Sequence, residues 1–312
     1  MKKSLIRPAM IVVPLVLGMF IPQASCLGFL VDPLLMAMLF MVYLQLNVKE
    51  LKPRAAHWTI LGANIAVGVT AYLLFGLTGD TDLAQAAFFI GITPTATAAP
   101  VIMNLLRGRV GFVVSGFVVT NIGISLALVP LIPAVTGQLE FDFMLRVLRS
   151  LVLIMALPLV FALALRRVCP AAETWPKRFK MLSLSMWSVM LFIISARAAD
   201  FLREHDDVSP WIVVGIAGIA ALLCAVNFTL GHFIVPRRLR REGSQTLGQK
   251  NTMLTLSLAS AFASPLAALG PTFYVICHNF WNSCQLFMFD RRDARREERR
   301  RRKAGDQSAL QG

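Results

Sequence analysis

The chain has 312 residues, of which 56% are hydrophobic and 15% charged, and 31 Lys and Arg stand against 17 Asp and Glu for a formal charge of +14. A soluble domain keeps about 25% of its residues charged, so this composition cannot cover a water-facing surface; it excludes soluble enzymes and nucleic-acid-binding domains alike. A polytopic membrane protein is expected, because one crossing needs about 20 predominantly apolar residues.

Apolar runs bounded by charge or by Gly and Pro fall at about 9–24, 28–46, 57–78, 83–106, 109–136, 141–165, 179–199, 208–234, 246–269 and 271–289, which predicts ten spans. The expected fold is therefore all-α: one membrane domain over 1–290, then a basic, disordered tail over 291–312. The first span also has the basic start, apolar middle and small-residue end of a signal peptide, and its removal would leave nine spans. Against that, Gln23 stands where a lipoprotein cleavage site before Cys26 favours Leu. Cys26, Cys169, Cys224, Cys277 and Cys284 show no paired spacing and read as packing residues.

Lys and Arg sort by alternate loops. One side collects Lys2, Lys3, Arg7, Lys49, Lys52, Arg54, Arg107, Arg109, Arg166, Arg167, Lys177, Arg178, Lys180, Arg237, Arg238, Arg240, Arg241 and nine residues of 291–303, 26 of the 31. Arg146, Arg149, Arg197 and Arg203 fall on the other, among loops holding Asp80, Asp82, Glu140, Asp142, Glu204, Asp206 and Asp207. Positive loops stay cytoplasmic, so both termini are expected inside, in a bacterial inner (cytoplasmic) membrane. The tail would attract anionic lipid by about 1 kcal/mol per basic residue near the surface. Lys250, left over from this sorting, lies inside the ninth span.

Polar or irregular backbone survives at membrane depth only where protein or a water-filled cavity shields it. Two spans carry such stretches. The fourth holds Gly91-Ile92-Thr93-Pro94-Thr95-Ala96-Thr97-Ala98-Ala99-Pro100, in which each proline removes a helix donor and clashes with the preceding turn. The ninth opens with Thr246-Leu247-Gly248-Gln249-Lys250-Asn251, a weak helix; the other reading makes this the span's cytoplasmic end, with Lys250 snorkelling to the interface. Spans four and nine hold the same place in two five-span halves, about 1–136 and 141–290, which must be inverted relative to each other. Inverted halves with interrupted helices are a transporter design in which substrate binds where the interruptions cross. Candidate binding residues are Thr93, Thr95, Thr97, Thr246, Gln249, Lys250 and Asn251 at the breaks, with Asn64 and Asn121 from mid-span positions; Pro94, Pro100 and Gly248 form the breaks. Asn104, Asn227 and Asn279 suit ordinary interhelical hydrogen bonding. Arg197, three residues before Asp200, suggests a local ion pair.

At this point the sequence resembles the bile acid:sodium symporter family. The stretch PLLMAMLFMVYLQLN at 33–47 is similar to that family's second helix, TPTATAAPVIMNLLRGRVGFVVSGFVVTN at 93–121 to its fourth and fifth, and GQKNTMLTLSLASAFASPLAALGPTFYVICHN at 248–279 to its ninth and tenth. The resemblance implies ten helices in a six-helix core and a four-helix panel, with substrate bound between them and alternating access. Sodium-coupled relatives carry Glu-x-Gly-x-Gln-Asn at the ninth-helix break; here Thr246 and Lys250 replace the Glu and Gln ligands. Ala99-Pro100 stands for Ser-Asn in the fourth helix, and Val113 and Phe117 for hydroxyl ligands in the fifth. A sodium ion needs several oxygen ligands, so the expected function is sodium-independent transport of a small organic anion, a carboxylate. Lys250 would be a fixed or proton-titrating surrogate cation, held by oxygens such as those of Thr246 and Gln249. The alternatives are a sodium-coupled bile-acid or organic-anion symporter and a non-transporting membrane sensor or scaffold with a ligand cavity. No carboxylate pair, metal-ligand cluster or nucleophile with its base is spaced for catalysis, so no enzyme activity, metal or cofactor is expected. The spans show essentially no mid-depth carboxylate of the kind a cation/proton antiporter needs, and residues 93–97 lack the cysteine that related arsenite carriers use.

Overall fold

The computed structural model describes residues 13–14, 16–44, 51–96, 98–204, 209 and 211–309, so the candidate residue Thr97 lies outside the described residues. Among them the regular elements are all helical. A 3-10 run, Pro22–Leu30, feeds α1 (Val31–Tyr43); α2 (Ala55–Gly76), α3 (Thr81–Ile92), α4 (Ala99–Leu105) and α5 (Val110–Thr136) follow. Then come α6 (Phe141–Leu151), a π turn (Val152–Ala156), α7 (Leu157–Val168), α8 (Lys180–Glu204), α9 (Trp211–Phe233), α10 (Arg240–Gly248), α11 (Thr252–Phe262) and α12 (Pro265–Ala309).

Among the described residues five stretches are long and apolar enough to cross a membrane: Pro22–Tyr43, Ala55–Gly76, Val110–Thr136, Phe141–Val168 and Trp211–Phe233. Thr81–Ile92 and Thr252–Phe262 are shorter apolar helices. Phe20, Phe29, Leu126, Val160, Trp211 and Phe280 are exposed, an outer surface suited to hydrocarbon and not to water. These features fit an integral membrane protein.

The interruption in the fourth apolar run follows from its prolines. Thr93 takes φ −51° and ψ 129°, the extended geometry favoured before a proline, and Pro94 cannot continue the helix. Helix resumes at Ala99 with Pro100 in its first turn, where the missing N–H costs nothing. The ninth run is placed differently from the expectation of 246–269. Its first half, α10, begins at Arg240 and ends at Gly248, and Pro265 opens α12 instead of lying inside the span. The polar start Arg240-Arg241-Glu242 masks a helix whose Glu242 is buried and accepts the Arg109 N–H at 2.9 Å, satisfying the amino terminus of α5.

One further departure has a local cause: the sixth run widens into a π turn just before Pro158, which cannot donate to the turn behind it. The helix α12 extends through Ala309, over a stretch rich in the strong helix formers Ala, Arg, Glu and Lys.

The largest core cluster brings together Leu35 and Leu39 of α1, Phe88 and Phe89 of α3, Leu128 and Ile132 of α5, Val147 of α6 and Leu254 and Leu258 of α11. Glycine sets the closest approach. A Cβ on Gly91 would meet the Gly68 backbone at 2.6 Å, so only this glycine pair lets α2 lie directly on the end of α3. That contact delivers Asn64, one turn from Gly68, to the first interruption.

Candidate functional site

The two interruptions meet. Thr95 and Lys250 form an antiparallel bridge, Ala96 N–H donates to the Gln249 carbonyl at 2.7 Å, and Asn251 N–H donates to the Pro94 carbonyl at 2.7 Å. This pairing explains how a break without proline persists between α10 and α11: its exposed backbone groups are satisfied by the proline-driven break opposite.

Side chains satisfy the remaining half-helix ends, where carbonyls lack helical partners. The Asn64 amide donates to the Thr93 carbonyl at 3.0 Å, and the Asn121 amide to the Thr95 carbonyl at 2.9 Å. Thr95 Oγ1 donates to the Thr246 carbonyl at 2.6 Å, and Tyr274 Oη to the Gly248 carbonyl at 2.8 Å. Thr93 Oγ1 lies 2.7 Å from Thr255 Oγ1, tying α3 directly to α11. Asn251 Nδ2 reaches Asn121 Oδ1 at 3.2 Å.

Lys250 is 1% exposed, which removes the snorkelling reading. Its ammonium donates to Asn64 Oδ1 and, at 3.0 Å, to the Gly91 carbonyl in the last turn of α3. The acceptors expected from sequence, Thr246 and Gln249, are engaged elsewhere. Thr246 Oγ1 donates to the Glu242 carbonyl at 2.7 Å, and Gln249 Oε1 accepts from Asn282, itself an acceptor for Gln245 at 3.0 Å. The cause is direction: Lys250 sits in extended backbone that pairs with Thr95, so its side chain runs toward α2 and α3 and away from its own half-helix. Among the described residues no carboxylate is a hydrogen-bond partner of Lys250.

All the described candidates, Thr93, Thr95, Thr246, Gln249, Lys250, Asn251, Asn64 and Asn121, are buried around this crossing, with Pro94 and Gly248 at the helix ends. Sequence reasoning missed Thr120, Thr255, Tyr274 and Asn282. Thr120 stands beside Asn121 in an apolar helix and accepts the Thr95 N–H at 3.2 Å, a signal that an adjacent hydroxyl and amide carry. Tyr274 is one of three tyrosines in the chain, but nothing in its neighbourhood marks the carbonyl it reaches. Val113 and Phe117, the apolar pair of the fifth run, are buried. Arg197 does not show the expected local tie to Asp200; its Nη2 donates to the Ser260 carbonyl of α11 at 3.3 Å.

Beside the crossing lies a half-open groove of about 220 Å³ between α5, the α6–α7 stretch and the end of α1, whose outer lip is formed by the exposed Ile122, Leu126 and Val152. Its walls are apolar, from residues such as Phe117, Val129, Leu151 and Val152, with Asn121, Ser125 and Tyr43 as the polar exceptions. Ser125 Oγ is buried there without a hydrogen-bond partner. Through Asn121 this groove shares a wall with the paired interruptions. No protein-family model matches the sequence, and no curated protein matches it.

Proposed function

We propose that the chain crosses the membrane ten times as two inverted five-helix halves with both termini cytoplasmic, and that it is a secondary transporter of a small organic anion, a carboxylate. The observation that carries this reading is the backbone pairing of two interrupted helices around a buried lysine that has no carboxylate partner among the described residues. A buried charge without a counter-ion is costly, so an anionic ligand complements what the fold leaves unbalanced. The groove at Asn121 offers an apolar wall for the rest of that ligand.

Lys250 also supports independence from sodium. Its ammonium occupies, with an acceptor amide and a helix-end carbonyl, the kind of oxygen-lined place a coupling cation needs. The basic continuation of α12 attracts anionic lipid at the inner surface. Purified full-length chain in proteoliposomes, tested for uptake of radiolabelled pyruvate and longer monocarboxylates with choline replacing sodium, decides the matter. Uptake that persists in choline and falls in Lys250→Gln supports the reading. A strict sodium requirement, or full activity of Lys250→Gln, overturns it.

A further inference from the structure

The turn between α9 and α10 reads Pro236-Arg237-Arg238-Leu239-Arg240-Arg241, four guanidiniums crowded at the start of a half-helix that enters the crossing. Like charges repel, and a turn that served only as an orientation signal would let these side chains spread into water. Two of them are instead braced against aromatic rings. The Arg240 guanidinium lies 5.5 Å from the centre of the Phe233 ring at the end of α9, and that of Arg241 lies 5.6 Å from the Phe289 ring of α12. Arg107, which follows α4, stands over the same Phe289 ring at 6.0 Å. Arg241 Nη1 also donates to the Leu106 carbonyl at 3.1 Å. One basic patch therefore gathers the ends of α4 and α10 that lie away from the crossing and seats them on α9 and α12.

The charges of Arg240 and Arg241 are not balanced locally. Glu242, the next residue, is buried and accepts from the Arg109 N–H at 2.9 Å, and no described carboxylate pairs with either guanidinium. Arg240 Nε is buried without a hydrogen-bond partner. The other basic turn differs: there Arg166 has Glu173 at 3.1 Å. Beside the patch the surface is apolar, with Phe233, Phe287 and Met288 exposed. Leu106, Val235 and Leu239 form a buried cluster under the turn, with Leu286 and Phe289 packed against it. A ligand that fits such a patch brings acceptor oxygens on a negative group and hydrocarbon next to them.

We infer that this patch binds an anionic phospholipid of the inner leaflet, its phosphate held by Arg240 and Arg241 and its acyl chains lying along Phe233 and Phe287. The inference rests on the membrane orientation proposed above and not on transport. Planar guanidinium donors meet two phosphate oxygens at once, and phosphate supplies the acceptor that Arg240 Nε lacks. Free phosphate would satisfy the same donors, but the exposed aromatic and Met side chains select a ligand with hydrocarbon attached. A lipid held there fixes α4 and α10, one half of each interrupted helix, to the leaflet.

Native mass spectrometry of the full-length chain, released from micelles holding equal phosphatidylglycerol and phosphatidylcholine, tests this. The wild-type chain is expected to retain phosphatidylglycerol preferentially, and Arg240→Gln with Arg241→Gln to lower that retention about tenfold or more, at about 1 kcal/mol per basic residue. Arg240→Gln alone, which keeps the Arg241 bond to the Leu106 carbonyl, should lower it about fivefold and serves if the double variant does not fold. Arg166→Gln with Arg167→Gln should leave retention unchanged, as should a full-length chain with Arg299, Arg300, Arg301 and Arg302 changed to Gln. Equal retention of the two lipids by the wild-type chain, or a preference lost with the tail or the 166–167 pair and kept without Arg240 and Arg241, overturns the proposal. Glycerol phosphate raising the Tm as much as phosphatidylglycerol does would mark a site for soluble phosphate and overturn the lipid assignment. A cysteine at Lys52 that reacts from outside would overturn the orientation and the inner-leaflet placement with it; equal lipid retention with that cysteine inside overturns the lipid site alone.

Discussion

The contact between Lys250 and Asn64 yields a prediction that separates a shared buried charge from two independent packing residues. Asn64→Leu keeps the branched outline but removes the acceptor for the ammonium and the donor to the Thr93 carbonyl. Losing a hydrogen bond to a charged group costs about 2 kcal/mol and stranding a buried carbonyl about 1.5 more, so this variant is expected to lose about 3.5 kcal/mol. Lys250→Met breaks the same bond and the one to the Gly91 carbonyl, but it also removes a desolvated ammonium. The relief offsets most of the loss, leaving a net cost of about 1 kcal/mol. In the double variant the shared bond is lost once and no ammonium is stranded, so the cost is about 3 kcal/mol against about 4.5 for the sum, a coupling of about 1.5. Chemical unfolding of all four proteins in one lipid or detergent system measures the cycle. Additivity to within about 0.5 kcal/mol would show that the two side chains do not share the burial, and the charge argument for the site would fall with it.

Other consequences are checked more simply. Gly91→Val drives a side chain into the Gly68 backbone and should cost about 3 kcal/mol or prevent folding, read as loss of a monodisperse purified species. Tyr274→Phe strands the buried Gly248 carbonyl and should lower stability by about 1–2 kcal/mol in the same unfolding assay. Glu242→Ala removes the acceptor at the start of α5 and should cost about 1 kcal/mol, while Glu242→Gln, which still accepts from the Arg109 N–H, should cost less. For the proposed topology, cysteines at Thr78 and Gln138 should react with an impermeant reagent from outside, and one at Lys52 only after permeabilisation; the opposite pattern would invert the orientation.

Much of the fold is legible because the membrane imposes coarse rules on composition. The first interruption is readable from two prolines, since no local alternative satisfies a helix at Pro94. The second carries no proline and is stabilised by residues 151 to 186 positions away, such as Thr95 and Asn64, so the sequence marks it only as unusually polar. The same distance hides the partners of Lys250: local spacing favours Thr246 and Gln249, whereas the extended Gln249 and the bridge of Lys250 to Thr95 turn the side chain to the other half of the chain.

The paired interruptions also constrain how any transport movement proceeds. Separating them would expose the Pro94 and Gln249 carbonyls and the amides of Ala96 and Asn251, groups with no other partner at membrane depth. Breaking four backbone groups free in hydrocarbon is far costlier than sliding apolar side chains past one another, so the crossing moves as one piece. The yielding segments are those whose helical hydrogen bonding is already irregular. The Pro22–Leu30 stretch sustains nine residues of 3-10 geometry, well beyond the usual few, and Val152–Ala156 widens into a π turn. The second of these, with Leu148, Leu151 and Leu159, forms the wall of the groove opposite Phe117 and Asn121. On the proposed transport reading, a cycle that opens this groove to either side would be built from rocking of α1, α6 and α7 about their irregular turns against a crossing that keeps its hydrogen bonds throughout.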